Sequence, residues 1–419
     1  MTERLLQFIW QLRYYNNIGL ACTNGQLIQV IHPGTHNTNQ GPDFLNAKIK
    51  VGLTLWAGHV ELHIKSGDWI KHRHSNDSNY KNVILHVVWI HDTDINLGFP
   101  TVELQHAVPK LLLYKYDRLM KGNRLIPCAD HPAGAVNEAS MISWKTRLLA
   151  ERLQAKSCHI NNLLKKNNMH WEETCWWLLA RNFGSTVNSD SFEKIAMSIP
   201  YNLLLRHQNN QVQLEALLLG QAGLLDGTYS NDYPKMLQQE FRFLQHKYKL
   251  LNPHTALLLL RMRPANFPAI RLSQLASLLH GHKQLFSTFL EAESIDTIEK
   301  MLMVSASGYW QTHYVFDEPG HFKQKKTGKQ MAHNIIINTV IPLLYTYGQV
   351  KNNEWLTGKI MQWLAGLPAE NNSIVREFEK IGIASRSAYD SQALLQLRQQ
   401  YCNQKRCLQC TIGNAILKG

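Results

Sequence analysis

The sequence predicts an α+β protein, with a small α/β module at its N-terminus and a mostly α-helical region behind it. Two observations lead to this prediction. The first hundred residues alternate between strand and loop patterns, whereas from about residue 140 apolar residues recur at helical spacing. In addition, 419 residues are too many for one ordinary core, so we expect two or three domains. We divide the chain into a module at 1–125, a helical region at 126–395 and a cysteine-containing tail at 396–419.

The module begins with a helix and an antiparallel hairpin. Apolar residues in 5–12 share one helical face, and an extended run follows around 26–31. The runs 47–51 and 54–65 alternate apolar with polar residues on either side of Gly52, which predicts two strands joined by a tight turn.

A polar crossover and two further strands complete the module. Segment 69–80 is polar, which predicts a short helix or a loop, and 83–90 is apolar enough to be a buried central strand. One more short strand is predicted at 101–104. The helical period that follows is clearest in three runs, 144–153, 172–179 and 214–225.

The chain carries an excess of positive charge. Lysine and arginine exceed aspartate and glutamate by 44 − 31 = 13, and twenty histidines add positive charge at lower pH. Nucleic acid is therefore the partner that we expect, although a solvated basic surface without a partner fits the same charge. In the helical region, seven basic residues are expected to contact phosphates: Arg261, Arg263, Arg271, Lys323, Lys325, Lys326 and Lys329.

The composition also predicts a cellular compartment. The first residues, MTERLLQFIWQLRYY, lack the apolar core and cleavage site of a signal peptide, and no segment approaches the roughly 18 apolar residues of a membrane span. We therefore expect a cytoplasmic protein that does not associate with membranes. Seven cysteines in such a chain are expected to be reduced thiols or metal ligands, and not a disulfide framework.

A candidate catalytic site lies where a loop ending in Asp43 precedes the hairpin. Because side chains alternate between the faces of a strand, His59, Glu61, His63 and Lys65 are expected to share one face. If the loop brings Asp43 beside Glu61, the two carboxylates would hold a hard cation, Mg²⁺ or Mn²⁺. Such a cation activates water and stabilises a phosphodiester transition state, while His63 or Lys65 orients the nucleophile. The alternative is a half-exposed hairpin whose outer face is simply polar.

Other polar residues lie close by in the sequence. His72, His74 and Tyr80 belong to the crossover, where we expect them near the substrate or at the surface. His86 lies within an apolar strand and is expected to be a hydrogen-bonded core histidine.

These residues resemble the PD-(D/E)XK nuclease superfamily over roughly residues 1–105. Pro42-Asp43 is similar to the first half of the motif and Glu61 to the second. The resemblance implies a restriction-endonuclease-like α-β-β-β-α-β core with a metal between the two acids. The superfamily's lysine normally stands two residues after the second acid, where this chain has His63, and Lys65 follows two residues later. Either His63 takes the role of the lysine, or Lys65 reaches back along the face, or the site is degenerate.

As a whole, the chain resembles an uncharacterised bacterial family filed as a domain of unknown function. The resemblance is carried by the segments NTNQGPDFLNAKI, WAGHVELHIKSGDW, LEALLLGQAGLL and IINTVIPLLY and by the cysteine-rich tail. It implies no activity, so the mechanism has to come from the residues.

The C-terminal tail has the pattern of a metal site. Its three cysteines form a C-x4-C-x2-C array, Cys402, Cys407 and Cys410. The spacing of the last pair lets two thiolates chelate one zinc ion or one iron–sulfur cluster. The candidates for a fourth ligand are Cys128, Cys158 and Cys175, of which Cys128, in a turn-like segment, is our first choice. The alternative is a set of reduced thiols in a basic terminal segment.

We therefore expect a divalent-metal-dependent phosphodiesterase that acts on DNA or RNA. Asp43 and Glu61 would be its metal ligands, and His63 and Lys65 its accessory catalytic residues. One alternative is a non-catalytic nucleic-acid-binding protein on a degenerate nuclease scaffold, and another is a helical protein-interaction scaffold.

Overall fold

The computed structural model of the protein describes residues 1–122, 124–130, 136–253, 255–259 and 266–419. The fold is mixed α+β and 55% helical, with a curled mixed sheet near the N-terminus and a mostly helical remainder, so the predicted class is confirmed. The described residues form two compact units. Unit 1 comprises Met1–Lys145, Ser373–Ala384 and Leu394–Gly419, and unit 2 comprises Thr146–Asn372 and Ser385–Ala393.

Unit 1 contains a six-stranded mixed sheet. Its strands are β1 (Ile28–His32), β2 (Thr35–His36), β3 (Phe44–Val51), β4 (Thr54–Lys65), β5 (Val83–Ile90) and β6 (Thr101–Glu103). The order across the sheet is β1-β3-β4-β5-β6, and β2 pairs with the start of β3. The pairs β1/β3 and β3/β4 are antiparallel, whereas β4/β5 and β5/β6 are parallel. The predicted hairpin and both later strands are therefore present.

Most of the helices follow the sheet in the chain. In chain order they are α1 (Glu3–Leu12), α2 (Asp68–Lys71), α3 (Lys110–Lys121), α4 (Glu138–Lys166), α5 (Trp171–Phe183), α6 (Ser185–Met197), α7 (Tyr201–Arg206), α8 (Gln211–Gln221), α9 (Asp232–Tyr248), α10 (Pro268–Gly281), α11 (Leu285–Glu291), α12 (Ile295–Leu302), α13 (Lys329–Ile335), α14 (Ile341–Val350), α15 (Glu354–Gly366), α16 (Ser373–Lys380), α17 (Ala388–Gln396) and α18 (Thr411–Lys418). Wider π-helical turns occur at Ile336–Val340 and Leu397–Cys402. A short antiparallel pair, β7 (His313–Val315) and β8 (Glu318–Pro319), lies in unit 2. Among the described helices, none combines the length and the apolar composition that a membrane span requires.

Helix α1 packs on the sheet and positions one side chain of the candidate site. Thr2 caps its N-terminus by accepting a hydrogen bond from the N–H of Leu5, and the helix buries five apolar residues: Leu5, Leu6, Phe8, Ile9 and Trp10. The Trp10 indole donates to the carbonyl of Pro33 at 2.9 Å, which anchors the helix to the loop before β2. The polar residue Gln7 of the same helix reaches Asp43.

Strand β4 is buried on both of its faces. In β3, burial alternates as expected for a sheet with one covered face, and a bulge around Asn46, whose φ is 59°, shifts the register with β4. In β4, by contrast, residues 60–63 are all buried. Glu61 and His63 are only 6% and 1% exposed, so the alternative of a half-exposed polar face does not hold for these two residues. The segment that follows β4 covers them.

Unit 2 is organised around α8. Every residue from Leu214 to Gln221 in this helix is buried, so it lies in the centre of the unit and packs against α9 and α10. Gly220 lets α9 approach closely, because a Cβ at this position would collide with the ring of Phe241.

Candidate metal centre

Two carboxylates meet where β3 begins and β4 passes beside it. The backbone N–H of Asp43 donates to Oε2 of Glu61 at 3.0 Å, and the N–H of Leu62 donates to Oδ2 of Asp43 at 3.1 Å. Gln7 donates to the other oxygen of Asp43 at 2.8 Å. The structure thus brings together the two acids that are eighteen positions apart in sequence.

Two histidines approach Oε1 of Glu61, and a third histidine contacts one of them. Glu61 Oε1 lies 3.6 Å from Nε2 of His63 and 3.5 Å from Nε2 of His74. His63 Nε2 lies 3.1 Å from Nδ1 of His72. One ring nitrogen from each of the three histidines lies within 4.8 Å of the other two. We call His63, His72 and His74 the histidine trio.

The crossover between β4 and β5 delivers two members of the trio. Ser66 binds Asp92 and the carbonyl of Thr93, which ties the start of the crossover to the loop after β5. Trp69 of α2 is 3% exposed and donates to Ser75 at 2.9 Å, and this bond closes the short loop that carries His72 and His74. This loop covers His63, and it is the reason that the face of β4 is not open to solvent.

Further rings hold the trio in place. His63 Nδ1 lies 2.9 Å from Nε2 of the fully buried His86, so a second imidazole fixes the orientation of the His63 ring. Trp69 places its edge against His63, His74 and His86 at centroid distances of 5.3 to 6.3 Å. Tyr80 stacks on His74 at 3.9 Å. His86 is a core histidine as expected, and it also orients a member of the site.

The electrostatics of the site favour neutral imidazoles and oppose free carboxylate charge. Burial, followed by the neighbouring histidines, lowers the pKa of His63 to about 3. Burial also lowers the pKa of His86, to about 4, and that of His74. Burial and the charge of Asp43 raise the pKa of Glu61, and burial raises the pKa of Asp43. Without a cation, the site therefore holds neutral nitrogen donors beside two carboxylates that resist ionisation.

These donors fit a metal ion. Four ligands about 2.1 Å from a central ion in a tetrahedron lie about 3.4 Å apart. Three separations at the site are close to that value: 3.1 Å for His63–His72, 3.6 Å for Glu61–His63 and 3.5 Å for Glu61–His74. The buried Nε2 of His74 has no hydrogen-bond partner among the described residues, which a metal bond would satisfy. Imidazoles suit Mn²⁺ or Zn²⁺ better than Mg²⁺, which prefers oxygen ligands.

A cavity with aromatic walls opens beside the trio. It has a volume of about 600 Å³, and His74 lies in its wall. Its aromatic residues are Trp56, Trp69, Tyr80 and Phe99. The polar and charged residues of the lining are Ser75, Asp77, Asn82, Asn96 and the exposed Lys81, in addition to His74. A flat ring could therefore stack within reach of the metal donors.

Two residues that we expected on the same face of β4 have other partners. The ammonium of Lys65 is 3.8 Å from Asp92, and the lysine side chain is 51% exposed. His59 accepts a hydrogen bond from the N–H of Asn46 in the β3 bulge at 3.3 Å. Asp43, Glu61 and His63 are thus brought together, whereas Lys65 pairs with the loop after β5.

The basic residues expected to contact phosphates belong to unit 2. Arg261 and Arg263 lie outside the described residues. Arg271 binds Gln274 and Asn266, and Lys325 is buried with its ammonium 4.1 Å from the ring of Tyr314. The exposed ones among the described residues of this set are Lys323, Lys326 and Lys329, of which Lys329 lies 3.4 Å from Glu299.

The four cysteines of the predicted tail site lie in unit 1. Charge interactions link each of the six pairs among Cys128, Cys402, Cys407 and Cys410, so the four side chains lie in the same region of unit 1. The other two candidates lie elsewhere, in unit 2, with Cys158 exposed and Cys175 buried.

The sequence analysis placed His72 and His74 near the substrate or at the surface, but not among the metal ligands. His72 and His74 stand two positions apart in a polar segment without helical or strand periodicity, so their spacing alone predicts no shared site. The signal that could have found them is the density of histidine within twelve residues, 63–74, directly after the acid at 61.

Comparison with known proteins identifies the family. The family model described as "Protein of unknown function (DUF2851)" matches residues 3–373, nearly the whole chain. No curated protein and no solved structure matches the chain. The chain therefore belongs to the DUF2851 family, and its expected membership of a family of unknown function is confirmed.

Proposed function

We propose that unit 1 is a divalent-metal-dependent phosphodiesterase that cleaves DNA or RNA. The observation that carries this proposal is the convergence of the buried carboxylate of Glu61, the half-buried carboxylate of Asp43 and three imidazoles next to an aromatic cavity. Buried acids in close contact are unfavourable unless a cation or a proton compensates them. Their presence beside neutral nitrogen donors supports a metal site and not a structural ion pair.

The residues of the site divide into three roles. Glu61 and the histidine trio would hold the ion, with His86 orienting His63. When bound, the ion would supply Lewis-acid stabilisation of the negative charge that develops on the phosphate oxygens. Asp43 lies beside Glu61 and has a raised pKa, so its carboxylate is suited to accept the proton of the attacking water. The water oxygen bonds to phosphorus, the ester bond breaks, and the leaving oxygen takes a proton from solvent.

The aromatic cavity supports nucleic acid as the substrate. The walls of Trp56, Tyr80 and Phe99 offer ring faces and edges on which bases stack, at about 1–3 kcal/mol per base. Such stacking requires an unpaired base, so we propose single-stranded segments as the preferred substrate. The net charge of +13 adds attraction that does not depend on sequence.

We also propose that the sheet of unit 1 is related to the PD-(D/E)XK nuclease core. The order of α1, the antiparallel strands β1, β3 and β4, the crossover and the parallel β5 supports this relation. So do the positions of Asp43 immediately before β3 and Glu61 in the middle of β4. Two features depart from that core: the crossover helix α2 has only four residues, and a histidine replaces the lysine.

The proposal is tested with labelled single-stranded DNA, double-stranded DNA and RNA, each with Mn²⁺, Zn²⁺, Mg²⁺ or EDTA. We expect cleavage of single strands with Mn²⁺ or Zn²⁺, and a loss of at least 100-fold in the Glu61→Gln and His74→Gln variants. His59→Gln is the matched control, because His59 lies on the same strand outside the trio. Absence of cleavage with every metal would overturn the proposal.

The same experiment distinguishes a nuclease from a protein that only binds nucleic acid. A protein that binds nucleic acid without turnover, with affinity that falls steeply with salt, would be a binding protein on a degenerate scaffold. The pairing of Lys65 with Asp92 is the observation that favours this alternative, because a lysine engaged there is not available to the phosphate.

A further inference from the structure

We propose that Cys128, Cys402, Cys407 and Cys410 form a closed four-thiolate metal centre in unit 1, separate from the histidine trio. Its occupant would be a thiophilic group, either one zinc ion or one iron–sulfur cluster, and its role would be structural. The argument rests on where the four side chains lie, on the groups that surround them and on the close backbone approach at Cys407.

The chain brings the four cysteines together from positions more than 270 residues apart. Lys405 donates to the carbonyl of Met120 at 2.5 Å, and Arg398 donates to the carbonyl of Leu125. Both bonds attach the C-terminal segment to the turn that carries Cys128. All six pairs of sulfur atoms then lie within electrostatic reach of one another.

The C-terminal cysteines lie on a tight turn. Cys402 ends the π-helical turn, Cys407 begins a 3₁₀ turn, and Cys410 is the residue before α18. Gly413 packs directly against the carbonyl of Cys407, where any Cβ would collide with it. This close approach folds the second and third cysteines toward the same point, as a chelating C-x2-C pair requires.

Three of the four cysteines are buried. Cys128, Cys407 and Cys410 are each 7% or 8% exposed, so a metal that they held would be shielded from solvent.

Two cationic side chains lie near these sulfurs. Arg398 is close to Cys402 and Lys405 is close to Cys407. Positive charge beside the cysteines fits a metal–thiolate group, whose net charge is negative.

The test is the metal content of the full-length protein, purified anaerobically from cells supplied with zinc and iron. The protein carries His74→Gln in every sample, so that zinc at the histidine trio does not add to the measured metal. We expect either one zinc per chain with no visible absorbance, or iron and acid-labile sulfide with a brown colour. Each of the four Cys→Ser variants is expected to lose at least nine-tenths of that metal. Cys22→Ser is the matched control, because Cys22 is also a buried thiol of unit 1 and its pKa, raised to about 11, is shifted by burial alone.

A second measurement remains informative if the serine variants do not fold. In the wild-type protein, the four thiols should resist alkylation by iodoacetamide and become reactive together when a chelator removes the metal. Wild-type protein with less than a tenth of an equivalent of zinc or iron would overturn the proposal. So would metal that survives in all four serine variants, or a mass that shows disulfides between these cysteines.

Discussion

Replacing Glu61 by glutamine is expected to change two properties of the protein in opposite directions. In the metal-free protein, the buried carboxylate of Glu61 lies next to that of Asp43. Two unit charges about 5 Å apart at an effective dielectric constant of about 20 repel each other by about 3 kcal/mol. Because burial and this repulsion raise the pKa of Glu61, partial protonation already relieves some of the energy. We expect the Glu61→Gln variant to gain about 1–2 kcal/mol in free energy of unfolding at pH 8 in EDTA.

The same substitution is expected to remove most of the stabilisation by metal. A ligand at 100 times its Kd stabilises the folded state by about 2.7 kcal/mol. For a unit of this size, that corresponds to a rise in Tm of about 5–10 °C. Glutamine still accepts the N–H of Asp43 and presents its amide to Nε2 of His74, so the local structure should survive. It is, however, a poor metal ligand, and we expect a rise below about 2 °C.

The assay is thermal and urea unfolding of both proteins in EDTA, Mn²⁺ and Zn²⁺. The control is Glu103→Gln, because Glu103 lies in β6 of the same sheet, two strands from β4, and is not among the proposed metal ligands. The Glu103→Gln variant should have the same stability as the wild type in EDTA, Mn²⁺ and Zn²⁺. The reasoning is refuted if Glu61→Gln is less stable than the wild type in EDTA, or if the two metals stabilise both proteins equally.

Three further predictions concern the support of the site and the helical unit. His86→Leu should weaken metal binding by about 10–100-fold in a calorimetric titration, because it removes the partner that orients His63 without removing a ligand; unchanged affinity would contradict this role. Gly220→Ala should lower the free energy of unfolding of unit 2 by about 1–3 kcal/mol, measured in urea, because the added methyl group collides with Phe241. Metal binding to unit 1 should be unaffected by this substitution. Burial lowers the pKa of Lys156 to about 7, so between pH 7 and 10 the unfolded state binds more protons and stability should rise with pH by up to about 1.4 kcal/mol per unit. In urea titrations at pH 7.5 and 9, Lys156→Met should show a smaller rise than the wild type, and equal slopes would exclude Lys156 as the cause.

The parts of the fold that follow local patterns were predictable. The hairpin of β3 and β4 follows from period-two alternation around Gly52, and the buried β5 follows from its continuous apolar run. Placing Asp43 beside Glu61 needed only the alternation of β4 and a loop short enough to return to it. The burial of Glu61 and His63 was not predictable in this way. It depends on the crossover folding back over β4, and a polar segment gives no periodic signal of the face on which it packs.

The same limit applies to the tail. Spacing identifies Cys402, Cys407 and Cys410 as a set, because chelation by neighbours in sequence is a local property. The proximity of Cys128 to the C-terminal cysteines depends on hydrogen bonds from Arg398 and Lys405 to backbone carbonyls. Every residue has a backbone carbonyl, so the sequence does not show which ones accept these bonds.

If unit 1 is related to the PD-(D/E)XK core as proposed, the absence of the lysine and the presence of the histidine trio are explained by one change. In a site built on two carboxylates, a lysine two residues after the second acid supplies positive charge near the phosphate. Here His63 occupies that position, is neutral, and points a nitrogen at Glu61 and at His72. A neutral donor cannot replace the charge of an ammonium group, but it can bind a metal that hard oxygen ligands alone would hold weakly. If this substitution preserves catalysis, activity should follow Mn²⁺ or Zn²⁺ and remain low with Mg²⁺. A His63→Lys variant should then lose its response to Zn²⁺ before its response to Mg²⁺, and the reverse order would show that the histidine does not act as a ligand.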